Sequence, residues 1–509
     1  MFTAGTLARA CCLVCIVVVL IVARGNELEG FNSNPKTVVY KNTTHAHAPA
    51  PHQANTTSTS TRSMSSSMSS SMSSLMIPEQ QLQHHRSSST YPQCRENLTI
   101  NTFPQLHEWT QRNVPLLQSV VEMEKDVFNI IFLVKHLPLG KASSWASKRW
   151  FCGNSDGGGR PYDGSSSHPT NTTAKLINPQ RKSIKELLIL QCAGSDFTSL
   201  TVVVEEMNDD HPPVYQEYDV RPFLECEAQY EKLSPPVQAA ACTQIRGAGP
   251  TKMLEEWVEY HRLVGFQHFW IYVNDDPSVI SNLPQHDYIT YIPYNYCLCH
   301  HNEENVFSRV HWTAMPVFQT PVMAECILRA RKEGIRWLAL HDVDEYFQVM
   351  DRNASSSNNT NVIDYLETLP TKDYVGGFVS LSVPFGRHPR ENTTQELTMD
   401  YAWHKNYGTT PIPKGREKII VRPDKVTQVG VHYITSGSRG TYLSPDTQIR
   451  VAHFKNPDQG VFRGGRGVFR RGRDIVRDDS LAKSSLREQV YQRIMHHRRN
   501  NSSAAADQG

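Results

Sequence analysis

The sequence has little net charge and comparatively little apolar content. Lys and Arg number 52 against 50 Asp and Glu, which leaves a formal net charge of +2 at pH 7. A chain this close to neutral has no general electrostatic attraction for nucleic acid, so we expect no nucleic-acid partner. Only 39% of the residues are hydrophobic, which predicts long polar segments. At 509 residues the chain is still long enough for two or three domains.

The first 24 residues contain a continuous apolar run, Ala10–Ala23, between Arg9 and Arg24. The run is short for a membrane-spanning helix, which usually needs about 17 residues or more. No convincing small-x-small cleavage site follows it, so we favour an uncleaved signal anchor over residues 1–24 rather than a cleaved signal peptide. Either interpretation places the rest of the chain in the secretory lumen.

Glycosylation sequons and cysteines agree with a lumenal location. The N-x-[ST] acceptors all follow the apolar run, at Asn42, Asn55, Asn97, Asn171, Asn353, Asn358, Asn392, Asn500 and Asn501. Three of the 11 cysteines lie in or beside the apolar run, and the others are Cys94, Cys152, Cys192, Cys226, Cys242, Cys297, Cys299 and Cys326. This even number predicts disulfides in an oxidising compartment, although the spacing leaves their connectivity open.

Composition divides residues 25–236 into two segments. Residues 25–93 are a Ser/Met/Thr-rich tract that cannot bury enough apolar surface to order itself, so they predict a disordered stem. Residues 94–236 carry short β-like runs between polar loops, which predict a small β-rich domain. The domain lacks an ordered aromatic platform, so we favour a bracing role over carbohydrate binding.

Strand-like and helix-like patterns alternate from Ala239 onward. Apolar runs at Ala239–Ile245, His268–Val273 and Trp337–Leu340 are separated by helical patterns, and Gly265 marks the end of the first helix. Successive βα units with short loops predict an α/β fold with a mostly parallel, doubly wound sheet. A second run of strand-like segments follows from Gly377.

The strand WLAL is followed by an acidic motif, His341-Asp342-Val343-Asp344-Glu345. Carboxylates do not stay buried without partners, so the strand has to end where water or a cation meets them. Asp342 and Asp344 are two residues apart and point the same way on an extended chain. Two such carboxylates at the carboxyl end of a strand in an α/β sheet are suited to a divalent cation and a nucleotide-sugar diphosphate.

Several ordered blocks around this motif resemble glycosyltransferase family 92. They are Glu256–His261 (EWVEYH) with Gly265 and His268–Tyr272, then Gln319, Cys326 and the Trp337–Phe347 strand, Phe385–His388, Lys418–Pro423 (KIIVRP) with Gly430–His432, and Val451–Lys455. The resemblance runs from about Ala239 to about Gly467, and we place the domain at residues 237–473. Two residues depart from the family pattern: Phe454 replaces the usual Tyr, and Arg387 stands where a small residue is common. Neither change touches the expected metal carboxylates, so the departure bears only on the acceptor preference that the resemblance implies.

The resemblance implies a GT-A (Rossmann-like) catalytic domain. Combined with the expected signal anchor, it predicts a single-pass type II Golgi membrane protein whose catalytic domain is lumenal. It also implies a UDP-sugar donor, often UDP-galactose, a glycan or polysaccharide acceptor, and inversion at the anomeric carbon. The alternative is a glycan-binding or scaffold protein that keeps the fold without turnover. A glycosidase is disfavoured, because Asp342 and Asp344, which form a DxD motif at one strand end, do not provide two carboxyls about 5–10 Å apart across a bond.

The expected metal ligands are Asp342, Asp344 and His453, with His432 as the second choice of histidine. A cation shared with the diphosphate would neutralise the charge that develops as the glycosidic bond breaks. Oxygen ligands suit Mn²⁺ or Mg²⁺, and an imidazole ligand favours Mn²⁺. A hydrogen-bonded structural role is the alternative for His453.

Donor-binding candidates are Arg246, Asp275, Asp342, Lys418 and Arg422. Asp275 follows a strand, where a carboxylate binds uracil or ribose, and the three basic residues are phosphate candidates. Turn, surface and strand-edge roles are the alternatives. An inverting transfer also needs a base for the acceptor hydroxyl, and the candidates, none of them preferred, are Glu391, Glu396 and Asp400.

Two remaining features are interpreted structurally. Cys297-Leu298-Cys299-His300-His301 imitates a metal cluster, but its spacing is too close for one tetrahedral site, so we predict disulfides. Residues 474–509 form a basic tail in which Ser480–His497 has helical character, and a solvated end is favoured over a membrane- or polyanion-binding face.

Overall fold

The structure is a computed structural model that describes fifteen stretches of the chain. They are residues 91–101, 116–133, 149–154, 172–177, 187–194, 200–208, 211–246, 248–275, 277–294, 307–350, 361–369, 374–386, 395–405, 416–454 and 475–506. They all fall in one compact unit, Gln80–Gly509. The predicted signal anchor, most of the stem, Glu391 and the Cys297–His301 motif lie outside the described residues.

Within these stretches, no helix combines the length and apolar character needed to cross a membrane.

The segment before Ala239 is rich in β-strands. It contains α1 (Tyr91–Asn101), β1 (Leu116–Glu124), β2 (Val127–Leu133), β3 (Arg149–Asn154), β4 (Thr172–Thr173), β5 (Lys175–Leu176), β6 (Leu187–Ala193), β7 (Leu200–Asn208), β8 (His211–Asp219) and α2 (Arg221–Glu227). The strands form two antiparallel sheets, in the orders β1-β2-β6-β5 and β4-β3-β7-β8. A disulfide joins Cys152 on β3 to Cys192 on β6 and so links the two sheets.

The remainder of the chain alternates helices and strands and then continues mainly as strands. The elements are β9 (Ala239–Ile245), α3 (Ala248–Leu263), β10 (His268–Val273), β11 (Ile289–Pro293), α4 (Phe307–Lys332), β12 (Trp337–Leu340), β13 (Glu345–Val349), α5 (Val362–Thr368), β14 (Val375–Gly386), β15 (Trp403–Lys405), β16 (Glu417–Val421), β17 (Val426–Val429), β18 (Ile434–Gly437), β19 (Arg439–Tyr442), β20 (Ile449–His453), β21 (Ile475–Arg477) and α6 (Ser485–Ala506). Short 3₁₀ turns lie at Pro277–Asn282 and Thr398–Asp400.

The large sheet is mixed, which corrects the prediction of a mostly parallel sheet. Its main path is β11-β10-β9-β12-β16-β14-β15-β21, and only the first four strands form a continuous parallel block. The next four pairings along the path are antiparallel. A parallel neighbour needs a crossover connection, usually a helix, and the long helices α3 and α4 connect strands of the parallel block, whereas most later strands follow one another through loops. The α/β class is confirmed, whereas the extent of parallel pairing is not.

The order in which the chain adds strands to the sheet reverses within the parallel block. The chain proceeds from β9 outward to β10 and β11 and then returns to place β12 on the other side of β9. Such a switch point opens a crevice at the carboxyl ends of the two central strands, where α/β sheets bind ligands. The motif Asp342–Asp344 follows β12 at that edge.

Apolar residues cover both faces of the parallel block. Ala240 and Cys242 share a core with α4 and with the β-rich segment. A disulfide between Cys242 and Cys326 fixes β9 to α4 on this face. Ala239 and Ala241 contribute to a second core with residues of α3, α5 and α6. The two-sided burial explains the continuous apolar strands of the sequence.

The end of α3 depends on a glycine. Gly265 has a φ of +109°, and a Cβ at this position would collide with the side chain of Asn361. Asn361 in turn accepts hydrogen bonds from the backbone N–H groups of Ile363 and Asp364 and caps α5. The glycine therefore allows the end of one helix to lie against the start of another.

Candidate active site

The candidate active site lies at the carboxyl end of β12, where two antiparallel strands add to it. Glu345 begins β13 and lies opposite His453 at the end of β20 in the strand register. Leu340 of β12 lies opposite Ile419 of β16, which brings the adjacent Lys418 to the same edge. Three segments far apart in sequence thus place their polar ends around Asp342–Glu345.

Asp342, Asp344, Glu345, Lys418 and His453 form what we call the acidic cluster. Within it, Asp344 and His453 are the pair whose spacing best resembles that of two metal ligands. Asp344 Oδ2 lies 3.2 Å from His453 Nε2. Octahedral ligands at about 2.1 Å from an ion lie about 3 Å from one another, so this separation suits two ligands of one cation. Both side chains are partly accessible to solvent, with exposed fractions of 24% and 19%. A ligand entering from solvent can therefore reach them.

Glu345 completes a group of three whose ligand atoms all lie within 4.8 Å of one another. Its Oε1 lies 3.5 Å from His453 Nδ1 but has no hydrogen-bond partner, although it is buried. An unpartnered buried carboxylate oxygen is costly, so this atom is suited to hold a proton or to bind a cation. Burial raises the pKa of Glu345. Glu345 is not among the site residues predicted from sequence, and its only sequence signal is its position directly after the DxD motif.

Asp342 occupies the other half of the cluster and is held by two donors. Its Oδ2 lies 2.8 Å from Lys418 Nζ, and its Oδ1 accepts a hydrogen bond of 3.2 Å from Gln319 Nε2 of α4. Its backbone N–H donates to Glu345 Oε2 at 3.0 Å. Although desolvation opposes ionisation, the ammonium of Lys418 keeps the pKa of Asp342 below its usual value. The carboxylate is therefore charged and fixed in orientation.

Lys418 is buried between two carboxylates and is not a solvated strand-edge residue. Its Nζ lies 2.8 Å from Asp342 and 2.9 Å from Glu345, and only 3% of its side chain is exposed. Burial alone would lower the pKa of Lys418, but the two carboxylates outweigh it and raise the pKa. Lys418 thus supplies a permanent positive charge within the acidic cluster.

The two histidines proposed from sequence have different surroundings. For His453, burial favours the neutral ring, but the carboxylates of Glu345 and Asp344 outweigh burial and raise its pKa. His432 Nδ1 lies 2.8 Å from the carbonyl oxygen of Glu417. The ring of His432 is also close enough to Asp342 to help lower the pKa of that carboxyl group. His453 belongs to the acidic cluster, and His432 lies beside its Asp342 half.

A buried pair of histidines connects the DxD motif to helix α3. His341 Nε2 lies 3.1 Å from His261 Nε2, and His261 Nδ1 lies 2.7 Å from the carbonyl oxygen of Trp257. Burial lowers the pKa of His261 to about 3 and that of His341 well below its usual value, so both rings stay neutral at pH 7. The pair links α3 to the residue preceding Asp342.

The candidate residues for donor binding lie at opposite ends of the strands of the sheet. Arg246 follows β9 and Asp275 follows β10, so both lie at the carboxyl edge of the parallel block and interact electrostatically. Arg422 follows β16, which runs antiparallel to β12, and therefore lies at the opposite edge, where it contacts Asp424. The structure brings Arg246, Asp275 and Lys418 to the edge that carries Asp342 but does not bring Arg422 there.

Glu396 and Asp400, the two candidate bases among the described residues, form ion pairs with Arg487 of the C-terminal helix α6. Arg487 Nε lies 2.8 Å from Asp400 Oδ1, and Arg487 Nη2 lies 3.2 Å from Glu396 Oε2. Asp400 also accepts a hydrogen bond from the backbone N–H of Leu397. Both carboxylates have structural contacts, and Glu391 lies outside the described residues.

Comparison with known proteins agrees with these features. The family profile described as "Glycosyltransferase family 92" matches residues 239–499, more than half of the chain. A glycosyltransferase family 92 protein of Oryza sativa subsp. japonica is 28% identical over 189 residues, which cover 36% of this chain and 26% of the rice protein. Another, of Ricinus communis, is 28% identical over 228 residues, which cover 43% of this chain and 35% of that protein.

The chain therefore spans about a quarter to a third of the length of these relatives. The matched profile includes β9 to β20 and most of α6, and thus every described residue of the acidic cluster. On the extent of this match, the chain belongs to glycosyltransferase family 92.

Proposed function

We propose that the protein is a metal-dependent glycosyltransferase with a GT-A catalytic domain. It transfers a sugar from a UDP-sugar, with galactose the first candidate, to a glycan hydroxyl in an inverting single displacement. The observation that carries the proposal is the cluster of Asp344, Glu345 and His453 at the switch point of the sheet. Membership of glycosyltransferase family 92 supports the reaction class.

The donor atoms of the cluster fit a divalent cation such as Mn²⁺. Asp344 supplies a carboxylate oxygen and His453 supplies Nε2, while Glu345 faces the other ring nitrogen and has an unpartnered oxygen. A carboxylate on the second nitrogen fixes the orientation of a ligating imidazole. Carboxylate and imidazole together favour Mn²⁺ over Mg²⁺. When bound, the cation would supply charge neutralisation for the UDP leaving group.

The protein's own residues arrange the rest of the site. Lys418 and Gln319 fix the carboxylate of Asp342, which leaves Asp344 as the carboxylate directed toward His453. Arg246 and Asp275 lie at the same edge and suit the phosphates and the nucleoside of the donor. The positive charge of Lys418 limits repulsion between a dianionic diphosphate and the three carboxylates.

The decisive experiment measures UDP release from UDP-sugars by the full chain with Mn²⁺, with EDTA, and with Mn²⁺ restored after EDTA. We expect release only when the metal is present. Asp344→Asn should reduce the rate by about 100-fold or more, since it removes charge stabilisation of the transition state. Asp342→Asn should do the same through donor positioning. Asp446→Asn is the matched control, because Asp446 is an exposed carboxylate.

Two outcomes would contradict the proposal. Release that persists in EDTA would exclude the metal, and near wild-type rates for Asp344→Asn at saturating Mn²⁺ would exclude the assigned ligand. Binding of UDP without any release from a panel of UDP-sugars would instead support a glycan-binding or scaffold protein of the same fold.

A further inference from the structure

Two cysteines that remain thiols in the described structure lie against each other on neighbouring helices. Cys94 is on α1 and Cys226 is on α2, and these helices pack together. The sulfur of Cys226 lies 3.9 Å from the carbonyl oxygen of Tyr91, one helical turn before Cys94. The two side chains are also within hydrogen-bonding contact of each other. The two thiols therefore lie beside each other where α1 packs against α2.

The other described cysteines show that the fold closes disulfides in both of its parts. Cys152 is bonded to Cys192 in the β-rich segment, and Cys242 is bonded to Cys326 between β9 and α4. Structural disulfides form and persist in oxidising compartments. A chain that acquires these two bonds meets an oxidant while it folds, and two touching thiols are then substrates for the same chemistry.

We propose that Cys94 and Cys226 form a third disulfide in the mature protein. Both S–H bonds break and one S–S bond forms, with two protons and two electrons passing to a disulfide oxidant such as glutathione disulfide. The oxidant is reduced to two thiols, so atoms and electrons balance. The exchange begins at Cys94, because Cys94 is half-buried whereas Cys226 is buried.

The position of this bond gives it a structural role. Arg95, next to Cys94, contacts Glu325 of α4 at 3.2 Å, and Glu227, next to Cys226, contacts Arg329 of α4 at 3.0 Å. All four charged side chains are buried. The disulfide would hold α1 and α2 together at the point where both contact α4, and so would keep these buried charges paired.

The same helix α4 carries Gln319, which contacts Asp342 in the candidate active site. The disulfide thus holds together two helices whose charged residues contact the helix that reaches the site. This inference concerns the fold and does not depend on the proposed transferase activity.

Peptide mapping of the full-length chain tests the proposal directly. Free thiols are alkylated in denaturant without reductant, the chain is digested, and cross-linked peptides are identified by mass spectrometry. We expect a peptide pair joining Cys94 to Cys226, which disappears after reduction. The Cys152–Cys192 and Cys242–Cys326 pairs serve as internal controls for oxidation.

Alkylated Cys94 and Cys226 in molecules that retain both control disulfides would overturn the proposal. A bond from Cys94 to Cys297, to Cys299 or to a second chain would overturn it as well. Because the mapping uses the wild-type chain, it does not depend on whether a variant folds.

Thermal unfolding of variants provides a second, independent test. A disulfide predicts that Cys94→Ser, Cys226→Ser and the double variant each lower the melting temperature by several degrees, with no further loss in the double variant. Reductant concentrations that open only this bond should lower the wild-type value to the same level. An unchanged melting temperature for Cys94→Ser would overturn the proposal, since loss of a half-buried thiol alone has little effect.

Discussion

At the scale of single residues, the site is defined by how its charges are paired. Four side chains near the DxD motif form two linked pairs, Asp342 with Lys418 and Asp344 with His453. Glu345 contacts both pairs, through Lys418 at 2.9 Å and His453 at 3.5 Å. In this arrangement the carboxylate of Asp342 is neutralised by an ammonium group, whereas the carboxylate of Asp344 faces an imidazole.

Removal of the buried ammonium should destabilise the protein. Lys418→Met leaves Asp342 and Glu345 without their cation, and breaking a buried ion pair costs about 3–5 kcal/mol in the free energy of unfolding. Lys425→Met is the control, because Lys425 pairs with Asp424 at the surface, where such pairs are worth about 0–1 kcal/mol. Denaturant unfolding of both variants gives the comparison. Equal small effects would show that Lys418 is not the charge that holds the cluster together.

Metal affinity should depend on the protonation of His453. Glu345 and Asp344 raise its pKa above the usual value near 6.5, so the ring is protonated at acidic pH. Without metal, these contacts add stability that is complete below the ordinary pKa and is lost as pH rises through the raised pKa. A cation needs the neutral ring, so Mn²⁺ affinity should increase with pH across the same window.

Titration calorimetry with Mn²⁺ at several pH values measures this dependence. The wild-type chain should release close to one proton on binding at pH values below the raised pKa of His453, and progressively less as the pH rises through that pKa. His453→Gln should bind Mn²⁺ more weakly and lose the proton release. A pH-independent affinity in the wild type would exclude His453 as a ligand.

At the scale of elements, the C-terminal helix α6 is part of the folded domain. Leu486, Val490 and Ile494 are buried in the core that also contains α3. Arg493 and His497 contact the carboxylate of Glu259 on α3, at 3.3 and 3.5 Å. The helix predicted from sequence is confirmed, and its apolar side is covered by α3 rather than by solvent.

Truncation of one buried side chain measures how strongly α6 is attached. Ile494→Ala should lower the free energy of unfolding by about 2–5 kcal/mol, as for other large-to-small changes in a core. Gln492→Ala should have little effect, because Gln492 is exposed on the same helix. The measurement is denaturant unfolding with far-UV circular dichroism. A negligible change for Ile494→Ala would mean that α6 is not packed in solution.

At the scale of the whole molecule, the β-rich segment and the α/β domain share a core. Val120, Ile130 and Leu190 of the β-rich segment belong to the same apolar cluster as Leu338 and Ile419 of the large sheet. Removal of the segment would expose this surface, and monomers rarely expose large apolar patches. The two parts therefore stabilise each other in the described structure.

Two shortened chains test this dependence. A secreted chain beginning at Tyr91 should keep activity and solubility, because it retains α1 and all described contacts of the core. A chain beginning at Ala239 should aggregate, because it loses the β-rich segment and leaves one face of the sheet uncovered. Soluble yield and UDP release, measured for both chains from an oxidising host, give the comparison. Full activity from the shorter chain would show that the β-rich segment is an independent module.

The sequence by itself determined the elements that depend on local pattern. Two-sided burial makes β9, β10 and β12 continuous apolar runs, and the acidic motif marks the end of β12 because charges cannot remain in a buried strand. The family resemblance added an ordered set of blocks, and the matched profile confirms the family. These features are readable because each depends on residues close together in the chain.

Only the tertiary structure decided which distant residues become partners. Lys418 joins Asp342 and Glu345 because β16 runs antiparallel beside β12, and the same strand direction carries Arg422 to the opposite edge. The mixed sheet, the two disulfides and the contact of Asp400 with Arg487 likewise depend on segments that meet through folding. Pairing direction and charge neutralisation are properties of contacts, and local sequence periodicity does not encode them.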